Sequence, residues 1–353
     1  MSQIATVFKL NRNGLRISKG VAIAAAMLPS LIVMTALDLD HYWISLFFGT
    51  LFVWLCDPGG DYGFRVREMA MVGVAGALLT ALGYGSGGGP WGLAVLAALV
   101  VTLLAGLAVK YGLHRFVAAY LLDAWFLVAL ALPIGFRLDH VQTSLWGQTL
   151  AWLIGAALVI AYTAIRWLVA GRTAQPEPLT EIPDSTAPVK LTRPLILYAV
   201  IRAVAVAITV AIAFGLELPN ADWMPIAALV AMKPSLAAST LVAMQRLAGA
   251  IIGAAVAAAF LLTVDNKVAL AVVIVLLGTL AGVIRMVNYA WYCAAVAAAV
   301  LIALDLPHPS NLTDEEHRIL FTFIGVGIGV LITFLADLLG KRRQAGAQPA
   351  STG

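Results

Sequence analysis

Apolar runs of about 16–22 residues recur along the whole length of this 353-residue chain, and each is long enough to cross roughly 30 Å of hydrocarbon as a helix. A bilayer accepts only helices or closed barrels, because backbone groups left unpaired in lipid are costly. Period-2 alternation is absent, which excludes a barrel. The chain is 62% hydrophobic and only 11% charged, a balance outside the soluble range. The expected fold class is therefore an all-α polytopic membrane protein. No small-residue cleavage site follows the first run, Ser18 to Asp38, so it is read as a span and not as a signal peptide.

Twelve helices are expected, near 18–37, 41–56, 67–84, 90–109, 115–133, 145–169, 194–215, 221–236, 246–264, 267–284, 286–304 and 317–338. The one long polar connection falls between the sixth and the seventh and reads as a linker. The chain is thus divided into a first six-helix repeat (1–171), a cytoplasmic linker (172–193), a second six-helix repeat (194–340) and a basic, disordered cytoplasmic tail (341–353). The repeat rests on matches in the same order in both halves: "KGVAIA" at Lys19 with "RAVAVA" at Arg202, Trp43 with Trp223, Arg67 with Arg246, "RFVAAY" at Arg115 with "RMVNYA" at Arg285, and "WLIGA" at Trp152 with "TFIGV" at Thr322. Six spans per half is an even number, so the two repeats run parallel.

Loop charge sets the orientation. One side collects Lys9, Arg12, Arg16, Lys19, Arg65, Arg67, Lys110, Arg115, Arg172, Lys190, Arg193, Lys233, Arg246, Arg285 and the terminal Lys341-Arg342-Arg343, while the other has only Arg137, Lys267 and Arg318 and carries most of the acids, from Asp38 and Asp40 to Glu315 and Glu316. Both termini are expected in the cytoplasm, in the inner (plasma) membrane.

In both halves the second helix stops at a charge followed by proline, Asp57-Pro58 and Lys233-Pro234. Proline removes a donor and disfavours helix at the residue before it. Short or Pro-interrupted spans at matching places in two repeats point to a transport path.

Several residues resemble the fusaric-acid-resistance-like family of the aromatic acid exporter superfamily. They are the Trp that opens the second helix, the x-Pro break near its end, the Gly-spaced "RLAGAIIGAAVAAAF" from Arg246, and "RMVNYAWY" from Arg285. The chain looks like a short form without that family's cytoplasmic domains, and the residue before the proline, an amide in many members, is charged here. The resemblance implies proton-driven export of small aromatic or amphipathic organic anions, with a periplasmic adaptor of the membrane-fusion type. A homodimer is a further expectation. Neither a cofactor, a metal nor a nucleic-acid partner is expected, and no enzymatic constellation is visible. An organic-anion channel and a non-transporting assembly subunit are the alternatives.

Each candidate residue has two readings. Asp57 and Lys233, with Pro58 and Pro234, are gate residues or solvated helix ends. Arg67 and Arg246 are partners for the break region or positive-inside anchors. Asp123, inside the fifth span, is a proton-coupling carboxylate, or a structural partner for a base such as Arg115 or Arg166, since buried acids in spans are costly. Arg202 binds an anionic substrate or snorkels to the headgroups. Trp43 and Trp223 stack on substrate or belong to the aromatic belt. Asn288 and Tyr289 contact substrate or join helices. "GYGSGGG" from Gly83 has no strand before it, so it is a loop and not a dinucleotide fingerprint. The five histidines show no metal spacing, and Cys56 and Cys293 no disulfide pattern.

Overall fold

The computed structural model describes residues 7–11, 14–138, 141–169, 187–218, 223–232, 240–306, 320–321, 323–329 and 331–332. These form α1 (Ile17–Ala36), α2 (Trp43–Leu55), α3 (Tyr62–Gly87), α4 (Trp91–Leu107), α5 (Leu113–Leu138), α6 (Leu145–Val169), α7 (Arg193–Gly215), α8 (Trp223–Ala231), α9 (Thr240–Thr263), α10 (Lys267–Ile284) and α11 (Tyr289–Asp305), and the described residues between 320 and 332 are helical. No strand occurs among the described residues. Among the described residues seven helices are long and apolar enough to cross a membrane, and three more apolar helices are shorter. The chain is a multi-pass membrane protein.

The helices are amphipathic in the sense a bilayer requires. On α4 the exposed side is Leu93, Leu96, Val100 and Leu104, while the buried side is Ala94, Ala97, Ala98, Val101, Thr102 and Ala105. On α7 Leu197, Val200, Val204 and Ile208 face out, and on α10 Val268, Val272, Leu276 and Leu280 do so. Large aliphatics thus face lipid and small residues face protein. Helices in lipid associate by close packing, which small residues permit.

Several boundaries differ from expectation: α9 starts at Thr240 and not at 246, and α5 runs to Leu138 and not to 133, while two further shifts have a clear local reason. α3 starts at Tyr62, five residues before Arg67, because Gly59 (φ 72°) and Gly60 (φ 83°) turn the chain and Asp61 accepts from Gly63 N at 2.9 Å. The left-handed backbone at those two positions favours glycine. α11 starts at Tyr289, because Asn288 Oδ1 accepts from Ala290 N and Trp291 N as its N-cap.

The chain forms two compact units, and neither coincides with a sequence half. The first comprises Met1–Leu78, Phe136–Glu181 and Ser235–Asn311. In it α1 packs on α10, where Gly20 lies against Thr279 and Gly282. α2 packs on α6 through Gly49 and Gly155. Trp152 of α6 donates to Gly73 O of α3 at 2.9 Å. α9 packs on α11, where a Cβ on Gly253 would sit 2.6 Å from Ala294 O. The second unit comprises Leu79–Gly135, Ile182–Pro234 and Leu312–Gly353. There α4 packs on α7, with Gly106 against Ala199, and α8 meets the stretch at 320–332, with Gly325 against Met224. The end of α3 meets α5, where Trp125 Nε1 donates to Thr80 Oγ1 at 2.8 Å.

α1 and α7 end alike. Leu39 N bonds Met34 O around Asp38 at φ 55°, and Leu218 N bonds Ala213 O around Glu217 at φ 50°. This is a Schellman closure with a non-glycine left-handed residue, and it falls on "LDL" in one half and "LEL" in the other.

Candidate functional site

Two charged centres emerge, one in each unit. In the second unit α5 carries Asp123 and α7 carries Arg202, and both side chains are fully buried. Arg202 Nη2 donates to Asp123 Oδ2 at 2.6 Å. Thr102 of α4 donates to Asp123 Oδ1 at 2.9 Å. The Arg202 guanidinium lies 5.3 Å from the Tyr120 ring centre. Arg202 Nε and Nη1 have no hydrogen-bond partner among the described residues. Tyr198, one turn earlier on α7, donates to Met232 O just past α8. The guanidinium commits Nη2 to Asp123, while Nε and Nη1, without such a partner among the described residues, carry three of its five N–H donors.

Arg202 is thus not a snorkelling residue. It stands ten residues into α7, well inside the span, and not at its mouth. The partner of Asp123 is this Arg202 and neither Arg115 nor Arg166. Two residues chosen separately from the sequence form one site. Breaking such a pair leaves an uncompensated charge, typically about 3–5 kcal/mol, so the two helices are tied here in one electrostatic state.

The second centre lies in the first unit, at the break after α2. α2 has 13 residues, about 20 Å of helix, and ends before the buried turn Asp57-Pro58-Gly59-Gly60. Arg65 Nε donates to Asp57 Oδ1 at 2.8 Å and Nη2 to Oδ2 at 2.5 Å, a bidentate pair. Gly59 N donates to Oδ1 at 3.1 Å, and Lys19 Nζ lies 3.9 Å from Oδ2. Burial pushes the Asp57 carboxyl up, but Arg65, Lys19 and Gly59 outweigh it and hold the group below the ordinary carboxylate range. Asp57 is therefore no solvated helix end. Lys19, Asp57, Arg65 and Arg166 line a cavity of only about 20 Å³, room for a water or two.

Arg65 is the residue that sequence reasoning missed. Arg67 was the expected partner for the break, yet its side chain is 66% exposed, beside Glu68 at 3.5 Å, whereas that of Arg65 is 5% exposed. The signal was Asp61, whose N-cap sets the helix start and turns position 65 inward and 67 outward.

Lys233 and Pro234 lie outside the described residues, as does the side chain of Arg246, which stands on α9. α8 itself is short, nine residues, or about 14 Å. Asn288 is fully engaged: besides capping α11, its Nδ2 donates to Val7 O at 2.9 Å and Lys9 O at 3.0 Å. Tyr289 faces the Tyr292 ring at 5.9 Å. Trp43 is 1% exposed and stacks on Phe47 at 5.3 Å, so it is a core residue and not part of an aromatic belt. Trp223 is half-buried beside the Ala213, Met224 and Phe321 cluster. No group of three or more metal-ligating side chains occurs among the described residues.

Residues 203–332 match the fusaric acid resistance protein-like family. Neither a curated protein nor a solved structure gives a match to the chain.

Proposed function

Taking residues 203–332 as a fusaric acid resistance protein-like membrane segment, we propose that the chain is an inner-membrane exporter of small aromatic or amphipathic organic anions and not an enzyme. It is driven by the proton gradient, has both termini in the cytoplasm and works with a periplasmic adaptor. The observation that carries this reading is the Asp123–Arg202 pair, sealed at zero exposure inside two spans. Ionisable residues at such depth are costly and are kept where ions or substrates move. Protonation of Asp123 cancels its attraction for Arg202, so the junction of α5 with α7 has two electrostatic states, and a proton gradient biases them. The uncommitted Nε and Nη1 of Arg202 suit an anionic headgroup.

Two parallel six-helix repeats form the scaffold of this reading. The fourth helix of each half pairs with the first of the other: α4 with α7, and α10 with α1. The second pairs with the sixth in each half, α2 with α6 and α8 with 320–332. The bidentate Asp57–Arg65 pair closes the path at the break after α2, consistent with its narrow cavity.

The test is efflux of an organic anion from cells or vesicles under an imposed proton gradient. Asp123→Asn should abolish gradient-driven efflux while the protein remains inserted. Efflux that persists in the parent after the gradient is collapsed would favour a channel instead.

A further inference from the structure

One end of the second unit carries a cluster of bases that the buried pair does not use. The chain leaves α4 through the 3-10 turn Ala108–Tyr111 and enters α5 at Leu113, and further on it enters α7 at Arg193. Val189 N donates to Lys110 O at 3.1 Å, so the turn after α4 and the approach to α7 lie side by side. They bring together Lys110, Arg115, Lys190 and Arg193, all exposed. No acid occurs in 108–118 or 187–197. Among the described residues no carboxylate lies within ion-pairing distance of Lys110, Lys190 or Arg193.

The bases are interleaved with apolar surface. Tyr111, Val189, Ile196 and Leu197 are 39% to 55% exposed. From there exposed aliphatics continue along α4 at Leu104 and Val100, and along α7 at Val200 and Val204. Lysine and arginine side chains hold phosphate oxygens. A soluble anion would engage the bases only, whereas a lipid also covers the aliphatic strips with its chains. On the orientation proposed above, this end meets the cytoplasmic leaflet, whose anionic lipids attract bases close to the membrane.

We infer that this patch is a binding site for an anionic phospholipid, with the headgroup phosphate held by Lys110, Lys190 and Arg193 and the acyl chains lying along α4 and α7. The headgroup ties the end of α4 to the start of α7. Thr102, Asp123 and Arg202 stand eight or nine positions from Lys110, Arg115 and Arg193 along the same chain segments, about 12–14 Å of helix, so the lipid site is a layer apart from the buried pair. It is a matter of binding and does not depend on what the chain transports.

The experiment titrates the purified full chain in detergent with phosphatidylglycerol, and separately with phosphatidylcholine of the same acyl chains, read by native mass spectrometry. Parent protein should bind one phosphatidylglycerol at least about tenfold more tightly, since each base near a headgroup contributes roughly fivefold. Lys110→Gln/Lys190→Gln/Arg193→Gln should erase the preference. Lys190→Gln alone, outside any helix, should lower it several-fold, and unfolding temperatures control for folding. Lys9→Gln/Arg16→Gln removes two exposed bases of the first unit and should leave the preference intact. Equal binding of the two lipids by the parent, or an unchanged preference in the folded triple variant, would overturn the inference. Loss of the preference in Lys9→Gln/Arg16→Gln would overturn it too, because total charge and not this patch would then be at work. Displacement of the lipid by an equal concentration of glycerol 3-phosphate would assign the patch to a soluble anion. A preference that emerges only in Glu177→Gln/Glu181→Gln/Asp184→Asn would assign it to the acids of the chain's own linker. Either result would refute the lipid site.

Discussion

Removing either member of the Asp123–Arg202 pair should cost far more than removing both. Each side chain has zero exposure, and the two meet at 2.6 Å with Thr102 as the third partner. Asp123→Leu leaves a guanidinium buried in protein at membrane depth, and Arg202→Met leaves a carboxylate there. Loss of one partner from a buried pair costs about 3–5 kcal/mol, whereas replacing both by apolar groups of similar volume is close to neutral. With two singles at that cost and a near-neutral double, the coupling energy of the cycle is about 6 kcal/mol or more. Asp123→Asn keeps an acceptor for Thr102 and falls at the lower end. Thermal unfolding of parent, singles and double in one detergent is the assay. At about 2–4 °C per kcal/mol, the singles should lose on the order of 10 °C and the double should recover most of it. Additive losses of less than about 1 kcal/mol each would mean that the two charges do not depend on one another, and the electrostatic tie between α5 and α7 would be withdrawn.

The remaining predictions concern the gate, the orientation and the packing. Asp57 is held below its ordinary range, so the stability it contributes is present above the unfolded carboxylate value of about 3.9 and is lost as pH falls through the lowered folded value. Accessibility of an engineered cysteine in the Lys19–Asp57 cavity should thus stay constant from pH 8 to 5, and change only below about pH 4. A response near neutrality would contradict this. Asp57→Asn and Arg65→Gln should each raise that accessibility at pH 7, and a lack of effect would remove them as the closure. A cysteine at Ser310, in a background without Cys56 and Cys293, should be labelled from outside intact cells; labelling only after lysis would invert the topology. Gly253→Leu should cost about 1–3 kcal/mol or more by overpacking α9 against α11, read as a lower unfolding temperature, because a Cβ there already lies 2.6 Å from Ala294 O.

The helices were legible because the apolar period and the caps that end it are local. The sequence marked the break after α2 through Asp57-Pro58, whereas the helix that Gly249 and Gly253 pack against, α11, is visible only in the structure. Which charges meet was not legible. Asp123 and Arg202 are separated by 79 positions and lie on helices that no local rule pairs, so each carried a separate reading. Arg65 was overlooked for Arg67 because helix phase depends on the start, and that start is set by a turn of two left-handed glycines and an Asp cap. Trp43 read as an interfacial residue because tryptophan near a span end usually is one; its burial depends on the neighbouring helices.

A buried pair that couples protons to cargo must make release of an anion depend on the gradient and on Asp123. Purified chain in proteoliposomes, loaded with labelled benzoate and given an inward proton gradient, is the direct measurement, with protein-free liposomes as the baseline. Gradient-dependent release above that baseline by the parent, and none by correctly inserted Asp123→Asn, is the expected result. Equal release by parent and Asp123→Asn, or release no faster than from protein-free liposomes, would contradict it.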